Sequence, residues 1–184
     1  MSHTEGALKL LSDYLKQAAA QKPEHTALIA GDERISYAEL ARRVEKLAAY
    51  LIKTGVQKGD RLAYVFAPCP EFMYLYLAAA RVGAVITGMG TRQTEPEMTY
   101  VLNNSQASHI FSLYSMYDID YQDRFASILP QCPTVKSLII AQGQARLPQA
   151  VSLEEILQGD YTAYLDELQR REAELDADDG LLIV

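Results

Sequence analysis

The best candidate for chemistry in this 184-residue sequence is a short glycine-containing segment, Gly88-Met89-Gly90-Thr91-Arg92. It follows an apolar run and precedes a helix start signal. In an α/β protein it would therefore lie at the carboxyl end of a strand, where ligands bind. Its glycines permit close approach of a ligand to the backbone, and Arg92 could meet a phosphate. The segment does not match GxGxxG, which disfavours a Rossmann dinucleotide site, and a plain strand-to-helix turn explains it equally well.

Other polar candidates are better explained by structure than by chemistry. Asp118, Asp120 and Asp123 could form a carboxylate pair, but we expect a solvated loop and a helix cap. His109 lies in an apolar strand pattern and is expected to be a buried structural residue. The three histidines are scattered and lack metal-ligand spacing. The sequence therefore predicts no metal site and no catalytic residue within this chain.

The cysteines and tyrosines also favour structural roles. Cys69 and Cys132 lie far apart without a CxxC partner, so we expect reduced thiols. Tyr64, Tyr74 and Tyr76 occupy core positions, and the net charge of −7 argues against stacking on a nucleic acid. No apolar run reaches the ~18–20 residues of a membrane span, and the first residues lack a secretory signal pattern. We therefore predict a cytoplasmic protein without a nucleic-acid partner.

Helical and strand-like segments alternate along the chain and would position these residues. The predicted helices cover residues 7–20, 36–54, 70–82, 94–107, 121–129, 152–158 and 161–174. The predicted strands cover residues 26–30, 34–35, 61–66, 84–87, 108–111, 135–141 and 181–184. Two helices begin with a predicted capping box, Ser36 with Glu39 and Thr94 with Glu97. The alternation predicts an α/β fold, a mostly parallel sheet with helices on both faces.

The last residues of the sequence read as a strand that leads into a ligand-binding loop. Asp178-Asp179-Gly180 precedes Leu181-Leu182-Ile183-Val184, a short apolar run bounded by turn signals, which predicts a buried strand. Ligands bind beyond the carboxyl ends of such strands, so a binding loop would be expected next. We therefore expect the chain to be a fragment.

Five segments in order resemble motifs of the adenylate-forming (AMP-binding) superfamily, and of acyl-CoA synthetases in particular. They are Ile35-Ser36-Tyr37-Ala38-Glu39-Leu40, Gly55-Val56-Gln57-Lys58-Gly59-Asp60-Arg61, Ala79-Ala80-Arg81-Val82-Gly83-Ala84-Val85, residues 94–107 and residues 178–184. The resemblance covers roughly residues 23–184. It implies the amino-terminal subdomain of such an enzyme, with residues 1–22 as an amino-terminal helix. Residues 23–184 would be an α/β subdomain that stops just before the ATP phosphate loop.

The resemblance implies an ATP-dependent, AMP-forming acyl-CoA synthetase. Such an enzyme activates a carboxylic acid with ATP and Mg²⁺ as an acyl-adenylate, and a thiol, commonly coenzyme A, then takes the acyl group. The family's phosphate loop, its adenine and ribose motifs and its catalytic lysine would all follow residue 184. We therefore expect the 184 residues alone to be inactive and to bind none of these ligands tightly.

Within the chain, the resemblance places Gly90, Thr91 and Arg92 near the coenzyme A channel. The loop differs from the family's usual Asn-Pro-x-x or Asn-Thr-Arg. An amino-acid or aryl-acid adenylation domain is an alternative within the enzymes, and a stand-alone α/β interaction module is an alternative outside them. An unfinished sheet edge near Val184 also predicts self-association.

Overall fold

Apolar strands alternate with capped helices along residues 10–183, the part of the chain that the computed structural model describes. The helices are α1 Leu11–Gln21, α2 Tyr37–Lys53, α3 Pro70–Val82, α4 Glu95–Ser105, α5 Tyr121–Ile128, α6 Leu153–Gln158 and α7 Leu165–Ala173. The strands are β1 Thr26–Ala30, β2 Glu33–Ser36, β3 Arg61–Val65, β4 Val85–Gly88, β5 His109–Ser112, β6 Ser115–Met116, β7 Ile119–Asp120, β8 Ser137–Ile140, β9 Ala150–Ser152 and β10 Leu182–Ile183. None of these helices is long and apolar enough to span a membrane.

The main sheet has six strands in the order β10-β4-β3-β5-β8-β9, and every neighbouring pair is parallel. β1 and β2 form a separate antiparallel hairpin, as predicted. The terminal strand is present at one edge of the sheet, where Leu182 and Ile183 pair with β4, and Val184 lies outside the described residues. Its predicted burial is wrong, because this edge strand has a neighbour on one side only and Leu182 and Ile183 are exposed. Because all six strands run the same way, their carboxyl ends share one edge of the sheet. We call this the carboxyl edge.

Helices cover both faces of the sheet, which confirms the predicted fold class. Successive strand residues point to opposite faces. Leu62 and Phe111 therefore face a core formed with α2 and α3, to which α1, α6 and α7 add apolar side chains. Ala63 and Ile110 face a second core formed with α4 and α5. Both strand faces are buried, and this explains the nearly continuous apolar strands in the sequence.

The start of α2 differs from the predicted reciprocal capping box. The Ser36 hydroxyl accepts a hydrogen bond from the Glu39 backbone N–H at 3.2 Å, as expected for an N-cap. The Glu39 carboxylate does not return to Ser36 but accepts hydrogen bonds from Arg42 and Arg43, so this half of the prediction is wrong. Charge-assisted pairs at i,i+3 and i,i+4 spacing outcompete a neutral backbone donor. Arg42, as the main cause, lowers the pKa of Glu39 to about 2.

The end of α3 is fixed by a glycine that also makes room for the segment before β10. Gly83 ends the helix with φ 70°. A Cβ atom at this position would lie 2.7 Å from Cδ2 of Leu175. The same segment is tied to the turn before β3 by the Lys58 ammonium, 2.6 Å from the Asp179 carboxylate. This ion pair lowers the pKa of Asp179. The glycine thus lets the chain cross α3 on its way to the sheet edge.

Several element boundaries differ from the predictions. The predicted helix 161–174 is divided into a 3₁₀ turn, Thr162–Tyr164, and α7. The first helix begins at Leu11 as far as the structure describes it, and positions 7–9 of the prediction lie outside the described residues. The edge strand β9 and the β6–β7 hairpin were not predicted. β9 has three residues, and β6 and β7 have two each, so these strands are too short to give a periodic signal in the sequence. The division at residue 22 stays a prediction.

Candidate functional site

The predicted segment 88–92 lies at the carboxyl edge, but it begins inside the sheet. β4 ends at Gly88, one residue later than predicted. The next residue still extends the ladder, because the Met89 N–H donates to the Tyr64 carbonyl at 2.8 Å. The Met89 side chain is buried in the core under α4 and α5. The part of the segment that lies outside the strand ladder therefore consists of residues 90–92, which we call the open loop.

Aromatic side chains from β3 and α3 line one side of this edge. A Cβ atom on Gly88 would lie 3.0 Å from the Tyr64 hydroxyl, so glycine permits the close approach of the two strands here. The Tyr64 ring packs against Phe72, with ring centres 5.1 Å apart, and Phe72 stacks on Tyr76 at 6.0 Å. Tyr74 is almost fully buried. The predicted packing role of these tyrosines is confirmed.

The open loop is a tight turn that is braced by α5. The Gln93 N–H donates to the Gly90 carbonyl at 3.0 Å, and the Gly90 N–H donates to the Gln93 side-chain oxygen at 3.1 Å. The Tyr121 hydroxyl donates to the Thr91 carbonyl at 2.6 Å, and Arg124 donates to the Gln93 carbonyl at 2.8 Å. The Gly90 N–H is therefore already occupied. A ligand that needs this donor would have to displace the Gln93 side chain.

Arg92 is the exposed cation of the loop. Its guanidinium carbon lies 4.7 Å from the centre of the Tyr117 ring. Within residues 10–183 the guanidinium has no carboxylate or hydrogen-bond partner, so its N–H donors are available. Tyr117 belongs to the turn of the β6–β7 hairpin, which follows β5. The site thus combines a side chain from the loop after β4 with one from the loop after β5, and sequence reasoning missed Tyr117.

The chemistry that this arrangement supports is anion binding rather than proton transfer. Arg92 offers planar donors to a phosphate or carboxylate. No group of three or more His, Cys, Asp or Glu side chains within residues 10–183 is placed to hold a metal ion. The assignment of Gly90, Thr91 and Arg92 to a coenzyme A channel stays a prediction.

The three aspartates near this site have the structural roles that the sequence favours. Asp120 caps α5, because its side chain accepts hydrogen bonds from the backbone N–H groups of Gln122 at 2.9 Å and Asp123 at 3.1 Å. Arg146 pairs with both Asp120 and Asp123. Asp118 is exposed in the hairpin turn. The prediction of a solvated loop and a helix cap is confirmed.

His109 and the two cysteines are also structural. The His109 ring is fully buried and shares hydrogen bonds with the hydroxyls of Ser108 at 3.0 Å and Thr54 at 2.9 Å. Burial lowers its pKa to about 4, so the ring is neutral at physiological pH. Burial also raises the pKa of the Cys69 thiol to about 11 and raises that of Cys132. Both cysteines are free thiols, as predicted.

Known proteins similar to this chain include CoA ligases and a hybrid synthetase. A medium/long-chain-fatty-acid–CoA/3-oxocholest-4-en-26-oate–CoA ligase of Mycobacterium marinum is 31% identical over 132 residues, 72% of this chain and 23% of that protein. A hybrid PKS-NRPS synthetase, apdA, of Emericella nidulans is 32% identical over 130 residues, 68% of this chain and 3% of that protein. The chain spans about a quarter of the length of the ligase it matches, 23%.

The solved structures and the family comparison agree with these relatives. The acetoacetyl-CoA synthetase of Streptomyces lividans superposes with a TM-score of 0.73 at 25% identity, over 82% of this chain and 25% of that one. The similarity thus includes the arrangement of the sheet and its helices. The model of the AMP-binding enzyme family matches residues 15–184. Because this match covers nearly all of the sequence, the chain belongs to the AMP-binding enzyme family.

Proposed function

We propose that the chain is the amino-terminal portion of an ATP-dependent, AMP-forming acyl-CoA synthetase. The observation that carries this proposal is the family match over residues 15–184, together with similarity to a fatty-acid–CoA ligase. The chain spans only 23% of that ligase, so the activity would belong to a longer protein. Its substrates would be a small-molecule carboxylic acid, such as a fatty acid, ATP with Mg²⁺, and coenzyme A.

The proposed reaction has two steps. A carboxylate oxygen attacks the α-phosphorus of ATP, the bond to pyrophosphate breaks, and an acyl-adenylate forms. The thiolate of coenzyme A then attacks the acyl carbon, a thioester forms, and AMP leaves. Residues 10–183 contain no group of three or more His, Cys, Asp or Glu side chains placed to hold a metal ion, and their one described buried histidine, His109, is held in hydrogen bonds to Ser108 and Thr54. We therefore expect this part of the enzyme to contribute to binding rather than to bond making.

Gly90, Thr91 and Arg92 are the proposed contact of this chain with coenzyme A. The turn at residues 90–93 is held by α5 through Tyr121 and Arg124, so its backbone is fixed before a ligand arrives. Arg92 is exposed and retains its N–H donors, which suits an anionic ligand such as the phosphates of coenzyme A. Gly90 lacks a side chain that could block a narrow channel.

Expression of the longest open reading frame that contains these residues tests the proposed function. We expect carboxylate-dependent exchange between ATP and pyrophosphate, and AMP release that requires coenzyme A. The 184-residue chain alone, prepared in parallel, should catalyse neither reaction. Exchange by the isolated chain would contradict its assignment as a non-catalytic portion. A longer protein inactive with every carboxylic acid tested would contradict the proposed enzyme class.

An amino-acid or aryl-acid adenylation domain is the second candidate. The similarity to the hybrid PKS-NRPS synthetase favours it, because that protein matches this chain at 32% identity. The two candidates share the adenylation step and differ in the acid and the thiol acceptor. A panel of fatty, aryl and amino acids in the exchange assay separates the acids. Acceptance of coenzyme A rather than a carrier-protein thiol then separates the acceptors.

We also propose that the isolated chain self-associates near Val184. Leu182 and Ile183 are 45% and 49% exposed at the sheet edge, and unpaired edges invite association. Light scattering of the concentrated chain should detect species larger than the monomer, and Ile183→Lys should reduce them. A strictly monomeric chain would contradict self-association. We further propose that the compartment of the protein is the cytoplasm, and localisation of a fluorescent fusion tests this.

A further inference from the structure

The stack of Arg92 on Tyr117 joins two segments that are otherwise far apart along the sequence. The guanidinium carbon lies 4.7 Å from the ring centre, within the range of a cation–π contact. Both side chains are open to solvent, and the Tyr117 side chain is 56% exposed. A large aromatic ring this open to water does little for the core. Its contact with Arg92 is the one ring–cation contact at the open loop among the described residues.

The backbone that carries Tyr117 has an uncommon conformation. Tyr117 and the following Asp118 have φ of 52° and 62°, the left-handed region that favours glycine and asparagine. Two consecutive residues with positive φ suit the two-residue turn of a β-hairpin, but this backbone conformation is strained for a tyrosine. The hairpin is anchored on its carboxyl side, where Asp120 caps α5 and pairs with Arg146. The anchored strands thus fix the position of the Tyr117 backbone relative to the open loop.

We propose that Tyr117 is a positioning residue that acts through Arg92. The strained turn holds the Tyr117 ring against the guanidinium, so that Arg92 is presented across the carboxyl edge to the anionic thiol substrate. This inference rests on the proposed function, in which Arg92 meets coenzyme A. Tyr117 itself need not touch the ligand.

Stacking suits this role because of how a guanidinium makes its contacts. An aromatic ring occupies its flat face, while the N–H donors lie around its rim and remain available to a phosphate. An exposed arginine otherwise samples many rotamers, and ordering it on binding costs free energy. A ring that restricts the side chain beforehand reduces this loss. Lysine cannot replace arginine at this position, because its ammonium lacks a planar face.

The stack can be tested directly in the 184-residue chain by NMR. The Tyr117 ring current should shift the Arg92 side-chain proton signals. We expect Tyr117→Phe to retain the shift and Tyr117→Leu to remove it. Tyr14→Leu, which removes another exposed tyrosine on α1, is the matched control and should leave the shift unchanged. Identical Arg92 signals in the wild-type chain and Tyr117→Leu would overturn the contact.

The positioning role is tested in the longer protein by separating the two half-reactions. Tyr117→Leu should raise the KM for coenzyme A by about two- to fivefold, the size of an exposed cation–π contact. ATP–pyrophosphate exchange, which does not use coenzyme A, should be unchanged. Tyr117→Phe retains the ring and should have the wild-type KM for coenzyme A. In an Arg92→Ala background, Tyr117→Leu should have no further effect, because the residue it acts through is gone.

These measurements distinguish a failure of the positioning role of Tyr117 from a failure of the proposed acceptor. An unchanged KM in Tyr117→Leu, or an equal rise in the Arg92→Ala background, would overturn the positioning role. If the wild-type protein forms no thioester with coenzyme A, the proposed acceptor is wrong and the functional part of this inference falls with it. The ring-current shift would still decide whether Tyr117 holds Arg92.

Discussion

Replacing Glu172 with glutamine should strongly destabilise this fold, because the Glu172 carboxylate pairs with a buried cation. Glu172 on α7 and Arg81 on α3 are both 7% exposed. Nε of Arg81 donates to the Glu172 carboxylate at 2.6 Å, and Lys16 of α1 donates to it at 2.8 Å. One carboxylate therefore connects three helices. Glu172→Gln keeps the size of the side chain but leaves the buried Arg81 guanidinium without its anion.

The expected magnitude follows from the burial of both partners. Removing one member of a buried pair costs ~3–5 kcal/mol, because the other charge remains out of water. Glutamine can still accept one hydrogen bond, and the exposed Glu45 carboxylate lies 3.7 Å from Arg81. Both effects reduce the loss, so we expect a cost near the lower limit, about 3 kcal/mol. For a domain of this size, that corresponds to a fall of about 6–12 °C in Tm.

Urea and thermal unfolding of the 184-residue chain measure this effect. Glu174→Gln is the matched control, because Glu174 pairs with Arg170 on the same helix and both are mostly exposed. The control should lose less than about 1 kcal/mol. The double variant Arg81→Met/Glu172→Met removes both charges and should be more stable than Glu172→Gln. The buried-pair explanation would be wrong if the stability of Glu172→Gln were within about 0.5 kcal/mol of wild type. It would also be wrong if the double variant were no more stable than Glu172→Gln.

Three further predictions concern the loop, a histidine and a thiol. Tyr121→Phe removes the hydroxyl that donates to the Thr91 carbonyl and should cost ~1 kcal/mol, with faster hydrogen exchange at residues 90–93; exchange equal to wild type would contradict the brace. His109, whose pKa falls to about 4, stays neutral in the fold while the unfolded chain binds a proton below its usual pKa of 6.5. The free energy of unfolding should therefore fall by roughly 3 kcal/mol from pH 6.5 to pH 4, as urea titrations would measure, and less in His109→Asn; equal slopes would contradict this. Cys69, with its pKa raised to about 11, should react with iodoacetamide at pH 7.5 about a hundredfold more slowly in the fold than in urea, by peptide mass spectrometry; equal rates would disprove the raised pKa.

Much of the fold could be predicted because its signals are local. The apolar face of α2, the glycine after α3 and the apolar run of β3 each report on a few neighbouring residues. The predicted terminal strand is also present, since β10 pairs with β4. The features that were missed are strands of two or three residues, or side-chain contacts for which several partners compete. β9 has three residues, and the Glu39 carboxylate had two possible partners within one turn.

The candidate site could be predicted only in part. The loop containing Gly90, Thr91 and Arg92 was found because it lies between a strand and a capped helix. Tyr117 carried no signal, because a tyrosine at positive φ breaks the usual preference for glycine or asparagine in such turns. The sequence predicts only a loop around Asp118. The structure places a hairpin there and directs the tyrosine towards Arg92.

The α/β class, the order of the motifs and the family resemblance can be read from the amino-acid sequence, because periodicity, caps and turn residues act between near neighbours. Contacts between distant side chains become visible in the folded protein. Arg81 and Glu172 are 91 positions apart, and Tyr121 reaches Thr91 across 30. Such contacts depend on strand register and helix packing, which bring distant residues together after the local elements have formed. The sequence therefore predicts where the carboxyl edge lies, but the side chains that meet there are set by the packing of the fold.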